Sequence, residues 1–431
     1  MFDKLKVLAG KRSLREVAFV YLGALINGAS LFCINIFLGR VLEQSLFGIF
    51  TLSILVLSTV AEMSDFGLNG GLLRFAPYYL ANNEEEKLKQ LVKTIWRWRV
   101  SLAIALTVFG IALSPLIASY VFNQPKIVYY IMFSFLGVGG VILLGFTSTY
   151  LQASQRFVSN SLFQVLKGTL RLALVVILYL SGINNLFVYL SVYIFIPWIL
   201  FFISYRFLPH NFLKVSVDDE IKKQLHSQLA RFSFWLVVWS LSAIVASRID
   251  QIMVSNLMGL EQVAVYSMAF QFVYIYTIAQ QSITTVLMPK MNGLKSVDEV
   301  RIFSKKVFQW LVPVVLMVGL LIYPSKYIIQ FIFGYKYVES IPIYLVLSYS
   351  MLVNFSAIPF ALIITAFNQT RIVAISGIVQ MTLNILLNFV FIPRFGTVGA
   401  AYAFGLSSVF TFVVSFVCTN YLLRNKKIEV V

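Results

Sequence analysis

The 431-residue chain is 59% hydrophobic and only 12% charged, with a mean hydropathy of +0.86. This excludes an ordinary soluble domain, in which about a quarter of residues are charged. The formal net charge of +17 would suggest nucleic acid in a soluble protein. Here the basic residues sit in short segments between apolar blocks, so they read as membrane topology signals and nucleic acid is not expected as a partner.

The N-terminal MFDKLKVLAGKRSLR is basic like a signal peptide, but the apolar run behind it is too long for a signal core and lacks a clear small-residue cleavage site. It reads as a retained first span. A bilayer core takes about 20 apolar residues per helix, and twelve blocks of that kind follow one another: 17–39, 46–62, 100–122, 127–151, 160–182, 185–205, 232–257, 263–288, 307–332, 341–366, 372–392 and 398–423. The expected fold class is all-α, a polytopic membrane protein with twelve transmembrane helices.

In chain order, span 1 holds a weak polar patch at Asn27 and Ser30. Behind span 2, DFGLNGGLLRF (65–75) reads as an inside turn region whose glycines permit a tight turn or close helix approach, with Asp65 and Arg74 as interface anchors. NNEEEKLKQLVK (82–93) reads as a solvated helix face of mixed charge. Span 5 places Asn160, Gln164, Lys167 and Arg171 at i, i+4, i+7 and i+11, on one helical face. A lipid-facing cation near mid-membrane costs about 2.5–3.5 kcal/mol, so this face should meet protein or a water-filled cavity. Lys167 could also snorkel to the inner headgroups. Arg171 lies roughly 16 Å into the span at about 1.5 Å per residue, which makes snorkelling harder.

Span 7 holds Arg248, Asp250 and Gln251; Arg248, Gln251 and Ser255 share a face, and Asp250 points elsewhere. Asp250 is either a structural partner of a basic group on another helix or a proton or cation site. In span 11, Gln380, Asn384 and Asn388 form a neutral stripe at i, i+4 and i+8, either glue between helices or a cavity lining. Pro289 and Pro342 sit at helix ends. Cys33 and Cys418 lie in apolar runs, giving no disulfide framework or CxxC metal site. His210 and His226 are the two histidines, and no HExxH, P-loop or GxSxG motif occurs. The chain does not read as an enzyme, and no metal or cofactor is expected.

With both termini in the cytoplasm, the inside segments carry 26 Lys and Arg and the outside carries five: Arg40, Lys126, Lys336 and Arg394 between spans and Lys326 near the outer end of span 307–332. That bias supports the orientation and an even number of spans. The outside loops are too short for an extracytoplasmic domain. An internal repeat is legible as well. Leu42-Glu43-Gln44 returns 218 positions later as Leu260-Glu261-Gln262, each time in the turn after the first span of a six-span set. LQASQRFV (151–158) and AFNQTRIV (366–373) fall between the fourth and fifth spans of each set, with their arginines 215 apart. Two offsets that agree within three residues indicate a parallel duplication, with lobes at 1–210 and 231–431 and a cytoplasmic linker at 211–230. Similar outside turns arising independently are the alternative. The fifth span of the first half is cationic where its counterpart is neutral, and a positively charged cavity favours an anionic ligand.

GRVLEQSLFGIFTL (39–52), DFGLNGGLLRF (65–75), RIDQIMVSNLMGLEQVAVYSMA (248–269), FGYKYVESIPIYLVLS (333–348) and LNILLNFVFIPRFGTVGAAYA (383–403) together resemble the polysaccharide transporter (oligosaccharide flippase) family of the multidrug/oligosaccharidyl-lipid/polysaccharide exporter superfamily. Each pattern is degenerate; their order along nearly the whole chain is what is specific. The resemblance implies two six-helix lobes forming a V around a central cavity and alternating access. It also implies transfer of a polyprenyl-pyrophosphate-linked oligosaccharide from the inner to the outer leaflet of a bacterial cytoplasmic membrane, for surface polysaccharide biosynthesis. The partners expected are that lipid-linked substrate, membrane lipids, and polysaccharide polymerase and chain-length machinery.

On this reading Lys167, Arg171 and Arg248 hold the pyrophosphate or an acidic sugar. Gln164, Asn27, Gln380, Asn384 and Asn388 contact the sugar, and Asp250 is a candidate ion-coupling residue. The drug-exporting branch is similar in span count but commonly carries an acidic residue in the first span, and residues 17–39 have none. The lipid II flippase branch usually has two further helices. A polysaccharide polymerase or ligase would be expected to show a sizeable outside loop.

Overall fold

The computed structural model describes residues 2–216, 241–292, 296–367 and 369–424. These residues form helices and short connections, as uninterrupted apolar runs require where backbone groups must be satisfied within the segment. Eleven helices among the described residues are long and apolar enough to cross a membrane. The expected twelfth, span 7, begins outside the described residues, and so do most of the 211–230 linker and His226.

The described residues fall into two compact units, one drawn from Met1–Leu42, Leu52–Tyr120 and Pro125–Phe234, the other from Glu43–Thr51, Val121–Gln124 and Trp235–Val431. The first contains α1 (Phe2–Val41), most of α2 (Gln44–Met63), α3 (Leu68–Ala81), α4 (Glu85–Leu116, continued by a π-helical turn), α5 (Val128–Ala153), α6 (Phe157–Leu180) and α7 (Leu186–Ser204). The second contains α8 (241–258), α9 (Leu260–Asn292), α10 (Val297–Phe333), α11 (Ser340–Ala366), α12 (Thr370–Phe395) and α13 (Thr397–Arg424).

Within the first unit α5 packs on α4, α7 and α3, and α1 pairs with α6. Within the second, α11 packs on α13, α9 and α10. The core of the first unit brings Leu68, Leu72 and Ala76 of α3 against Leu88, Leu91, Val92 and Ile95 of α4 and Phe146 and Tyr150 of α5. A second core joins Val300, Val307 and Leu311 of α10 to Phe355, Ile358 and Leu362 of α11.

The turn region 65–75 is mostly helical: only 64–67 turns, through Phe66 (φ 42°) and Gly67 (φ 76°), before α3 begins. The third span starts at Glu85 and not at residue 100. The run 82–93 is also not simply a solvated face. Leu88, Leu91 and Val92 are buried at helical spacing, and the Lys93 ammonium donates to the Val215 carbonyl at 2.6 Å. Asp65 pairs with Arg99 of α4, which also donates to Asn69 at 2.8 Å.

The two turns that carry the second echo close alike, but in a register that pairs Arg156 with Gln369 and not with Arg371, two residues away from the sequence alignment. In the 154–156 turn the Arg156 N–H bonds to the Leu151 carbonyl at 2.8 Å, and in the 367–369 turn the Gln369 N–H bonds to Ile364 at 3.1 Å, the same five-residue closure. Arg156 (φ −86°, ψ 55°) and Gln369 (φ −88°, ψ 51°) share one backbone conformation. Both repeated glutamines fall in the second unit and meet one segment there. Gln44 donates to the Lys336 carbonyl at 2.5 Å, and Gln262 donates to Glu339 at 3.1 Å while accepting from Thr397 at 2.5 Å. In the α12–α13 connection Gly396 takes φ 63°, and a Cβ on Gly399 would lie 2.2 Å from the Phe391 carbonyl oxygen. The backbones of the Ile-Pro…Gly-Ala-Ala motif approach closely enough that only glycine fits.

Candidate functional site

Among the described residues each unit holds a polar cluster that includes sequence-predicted site residues. In the first, Arg171 of α6 is buried, 8% exposed. Its guanidinium carbon lies 4.4 Å from the centroid of the Tyr193 ring on α7, and one terminal nitrogen donates to the Tyr193 carbonyl at 3.4 Å. This is cation–π support in a dry setting, where the ring quadrupole is least screened. The Arg171 Nε is buried and makes no hydrogen bond.

Lys167, one turn back, is half-buried and close enough to Arg171 for the two charges to repel. Gln164 is half-buried on the same helix. Asn27 of α1 approaches this stripe because Gly168 has no side chain: a Cβ there would lie 2.9 Å from the Asn27 Cα and 3.1 Å from its Oδ1. That Oδ1 is buried and accepts no hydrogen bond. Asn160, at the N-terminal end of the stripe, is instead engaged by the Ser148 hydroxyl of α5.

What could neutralise Lys167 and Arg171 is limited by the sequence itself, which contains no Asp or Glu between Glu86 and Asp218. No carboxylate can therefore come from α5, α6 or α7. Two neighbouring cations, one buried and one half-buried, with no carboxylate on these three helices, repel each other, and an anionic ligand would relieve that cost.

In the second unit the cluster surrounds Asp250 of α8. Asn388 of α12 donates to Oδ1 at 2.7 Å, and the Tyr266 hydroxyl of α9 donates to Oδ2 at 3.0 Å. The same Asn388 amide nitrogen also reaches Asn384 Oδ1 at 3.1 Å. Asp250, Tyr266, Asn384 and Asn388 are all buried. The neutral stripe of span 11 is thus largely turned onto the carboxylate; Gln380 is only half-buried. Arg248 is half-buried, and Gln251 donates to Ser267 at 3.3 Å. Sequence spacing brought Asn384 and Asn388 together but not with Asp250. Tyr193 and Tyr266 were missed altogether, because a lone tyrosine in an apolar run carries no local signal of a partner on another helix.

Comparison with known proteins gives the family. The model of the polysaccharide biosynthesis protein family matches residues 13–295, well over half of the chain. The uncharacterized membrane protein MJ1068 of Methanocaldococcus jannaschii is 24% identical over 389 residues, covering 84% of this chain and 74% of that protein. The probable low-salt glycan biosynthesis flippase Agl15 of Haloferax volcanii is 24% identical over 184 residues, 42% of this chain and 39% of that protein. Among solved structures, an inward-facing multidrug resistance MATE family transporter of the MOP superfamily aligns with a TM-score of 0.73 at 12% identity, over 96% of this chain and 99% of that one. The lipid II flippase MurJ in an inward closed conformation aligns with a TM-score of 0.71 at 13% identity, over 94% and 87%. At such identities the structures establish the fold, and the family model establishes membership. The chain belongs to the polysaccharide biosynthesis protein family.

Proposed function

We propose that this multi-pass membrane protein is a flippase that carries a polyprenyl-pyrophosphate-linked oligosaccharide across the cytoplasmic membrane, with both termini in the cytoplasm. It would work by alternating access of two six-span lobes, residues 1–210 and 231–431, joined by the 211–230 linker. The observation that carries the reading is the Lys167–Arg171 pair on α6, with Arg171 buried and Lys167 half-buried, in a stretch of chain that contains no carboxylate. A pyrophosphate supplies the missing negative charge, and arginine's fork suits its oxygens. Gln164 and Asn27, with its unused buried Oδ1, are assigned to sugar hydroxyls.

In the second unit Arg248 and Gln380 are assigned to substrate. Asn384 and Asn388 are reassigned to holding Asp250, in keeping with their hydrogen bonds. Asp250 is a candidate ion-coupling residue, because an acid facing neutral donors in the membrane can change its charge without breaking an ion pair. The same carboxylate supports a second reading, a cation-coupled multidrug exporter, for which the fold is equally suited.

Reconstitution separates the two. Purified protein in liposomes containing a polyprenyl-pyrophosphate oligosaccharide should move the glycan to the opposite leaflet, measured by its capture with a lectin outside. Ion-gradient-driven efflux of ethidium with no glycan movement would replace the flippase by the exporter.

A further inference from the structure

The helix α3 is too short to cross a membrane: 14 residues at about 1.5 Å each reach roughly 21 Å, against a hydrocarbon core of about 30 Å. It is nevertheless apolar on every side. Its sequence, LNGGLLRFAPYYLA, contains one charge and one amide, and the amide of Asn69 is used within the unit by Arg99. Leu68, Gly71, Leu72 and Ala76 form the face buried against α4 and α5. The opposite face, with Phe66 just before it, leaves Phe66 53%, Leu73 43%, Tyr78 60% and Leu80 40% exposed. Arg74 is the single charge among them.

A water-facing helix would be expected to be polar on that side. The first turns of α4 show the contrast a few residues later, where Glu84 pairs with Lys87 and Glu85 with Lys89, each at 3.1 Å. The composition changes abruptly at Asn82, from apolar with one cation to densely charged. Nor is α3 loosely tethered. Asp65 and Asn69 bind the buried Arg99, and the Asn69 N–H donates to Asp65 at 3.2 Å.

We infer that α3 is an interfacial helix. Its outer face lies in the bilayer at the border of hydrocarbon and headgroups, with Leu73, Tyr78 and Leu80 among acyl chains and Arg74 at the level of the headgroups. The occupant of this face is membrane lipid and not a soluble protein. Its continuity with the span α2 that precedes it, and the presence of one cation without any acid, both fit a bilayer rich in anionic lipid. The inference is independent of which cargo is transported.

The test is spin-label accessibility in the full chain, reconstituted in phosphatidylethanolamine–phosphatidylglycerol vesicles, in a background with Cys33→Ala and Cys418→Ala. Labels at Leu73→Cys and Tyr78→Cys are compared with Glu86→Cys as a water reference and Val108→Cys, exposed in mid-α4, as a lipid reference. Collision with oxygen relative to a water-soluble nickel chelate should be several-fold higher at 73 and 78 than at 86, approaching 108. Ratios at 73 and 78 equal to that at 86 would overturn the inference and make this face water-exposed, as a protein-docking surface would be. Should either variant fail to fold, Ala81→Cys, exposed on the same helix, reads the same side.

Discussion

Asn388 of α12 donates a 2.7 Å hydrogen bond to Asp250 of α8, joining the neutral stripe of one helix to the buried carboxylate of another. With Asn388→Ala the carboxylate keeps Tyr266 and loses its shorter bond. The expected cost is about 1–3 kcal/mol, seen as a lower melting temperature of the detergent-purified protein. Asp250→Asn preserves shape and burial, so it should melt within a few degrees of wild type yet lose dependence of transport on the driving ion. Unchanged ion dependence in Asp250→Asn would remove Asp250 from coupling.

Arg171 rests on Tyr193, with the guanidinium 4.4 Å from the ring centroid. Arg171→Ala should abolish glycan export at unchanged protein abundance, and Arg171→Lys should retain part of it if point charge suffices. Tyr193→Phe keeps the ring and should export nearly normally. Tyr193→Leu loses a contact worth roughly 0.5–2 kcal/mol and should weaken binding of the lipid-linked substrate about 2- to 30-fold. Normal export by Arg171→Ala would remove that residue from the site.

Gly399 faces the Phe391 carbonyl oxygen where a Cβ would stand 2.2 Å away. Gly399→Val must push α12 and α13 apart at their junction. The expected destabilisation is about 1–3 kcal/mol or more, measured by thermal unfolding. A melting curve identical to wild type would show that the connection is soft.

Arg99 is 3% exposed and pairs with Asp65, which is 36% exposed. Asp65→Ala strands the guanidinium and should cost toward the low end of the ~3–5 kcal/mol typical of breaking a buried pair. Adding Arg99→Met should recover part of that loss, because the unpaired charge disappears with its partner. A double variant less stable than Asp65→Ala alone would show that Arg99 contributes mainly through Asn69 and its packing.

Much of this architecture is legible in residue order, for definite reasons. Spans declare themselves because each needs about 20 apolar residues. The α6 stripe is legible because i, i+4 spacing is a property of one helix. The α3 helix is not, since its first half lies in DFGLNGGLLRF, which is glycine-rich and reads as a turn, and Pro77 follows. Its helicity is supported by tertiary contacts, with Leu68, Leu72 and Ala76 packed on α4 and α5. The burial of Leu88, Leu91 and Val92 was available in their spacing but was outweighed by the surrounding charges. The Asp250 cluster was only half legible. Asn384 and Asn388 are neighbours on one helix, whereas Asp250 and Tyr266 reach them from two others. The Leu-Glu-Gln echo is not in helix register, since Gln44 opens α2 whereas Leu260 opens α9, and the tripeptide carries no signal of the contacts its glutamines make with residues 336 and 339.

The most direct test of a lipid-linked glycan as the cargo is to delete the gene and determine on which leaflet oligosaccharide-bearing lipid accumulates. A flippase leaves complete repeat units trapped on the inner leaflet, with export restored by the wild-type chain and not by Arg171→Ala. Single units accumulating on the outer leaflet would indicate a polymerase. No accumulation together with increased dye sensitivity would indicate a drug exporter, and either result would contradict the flippase.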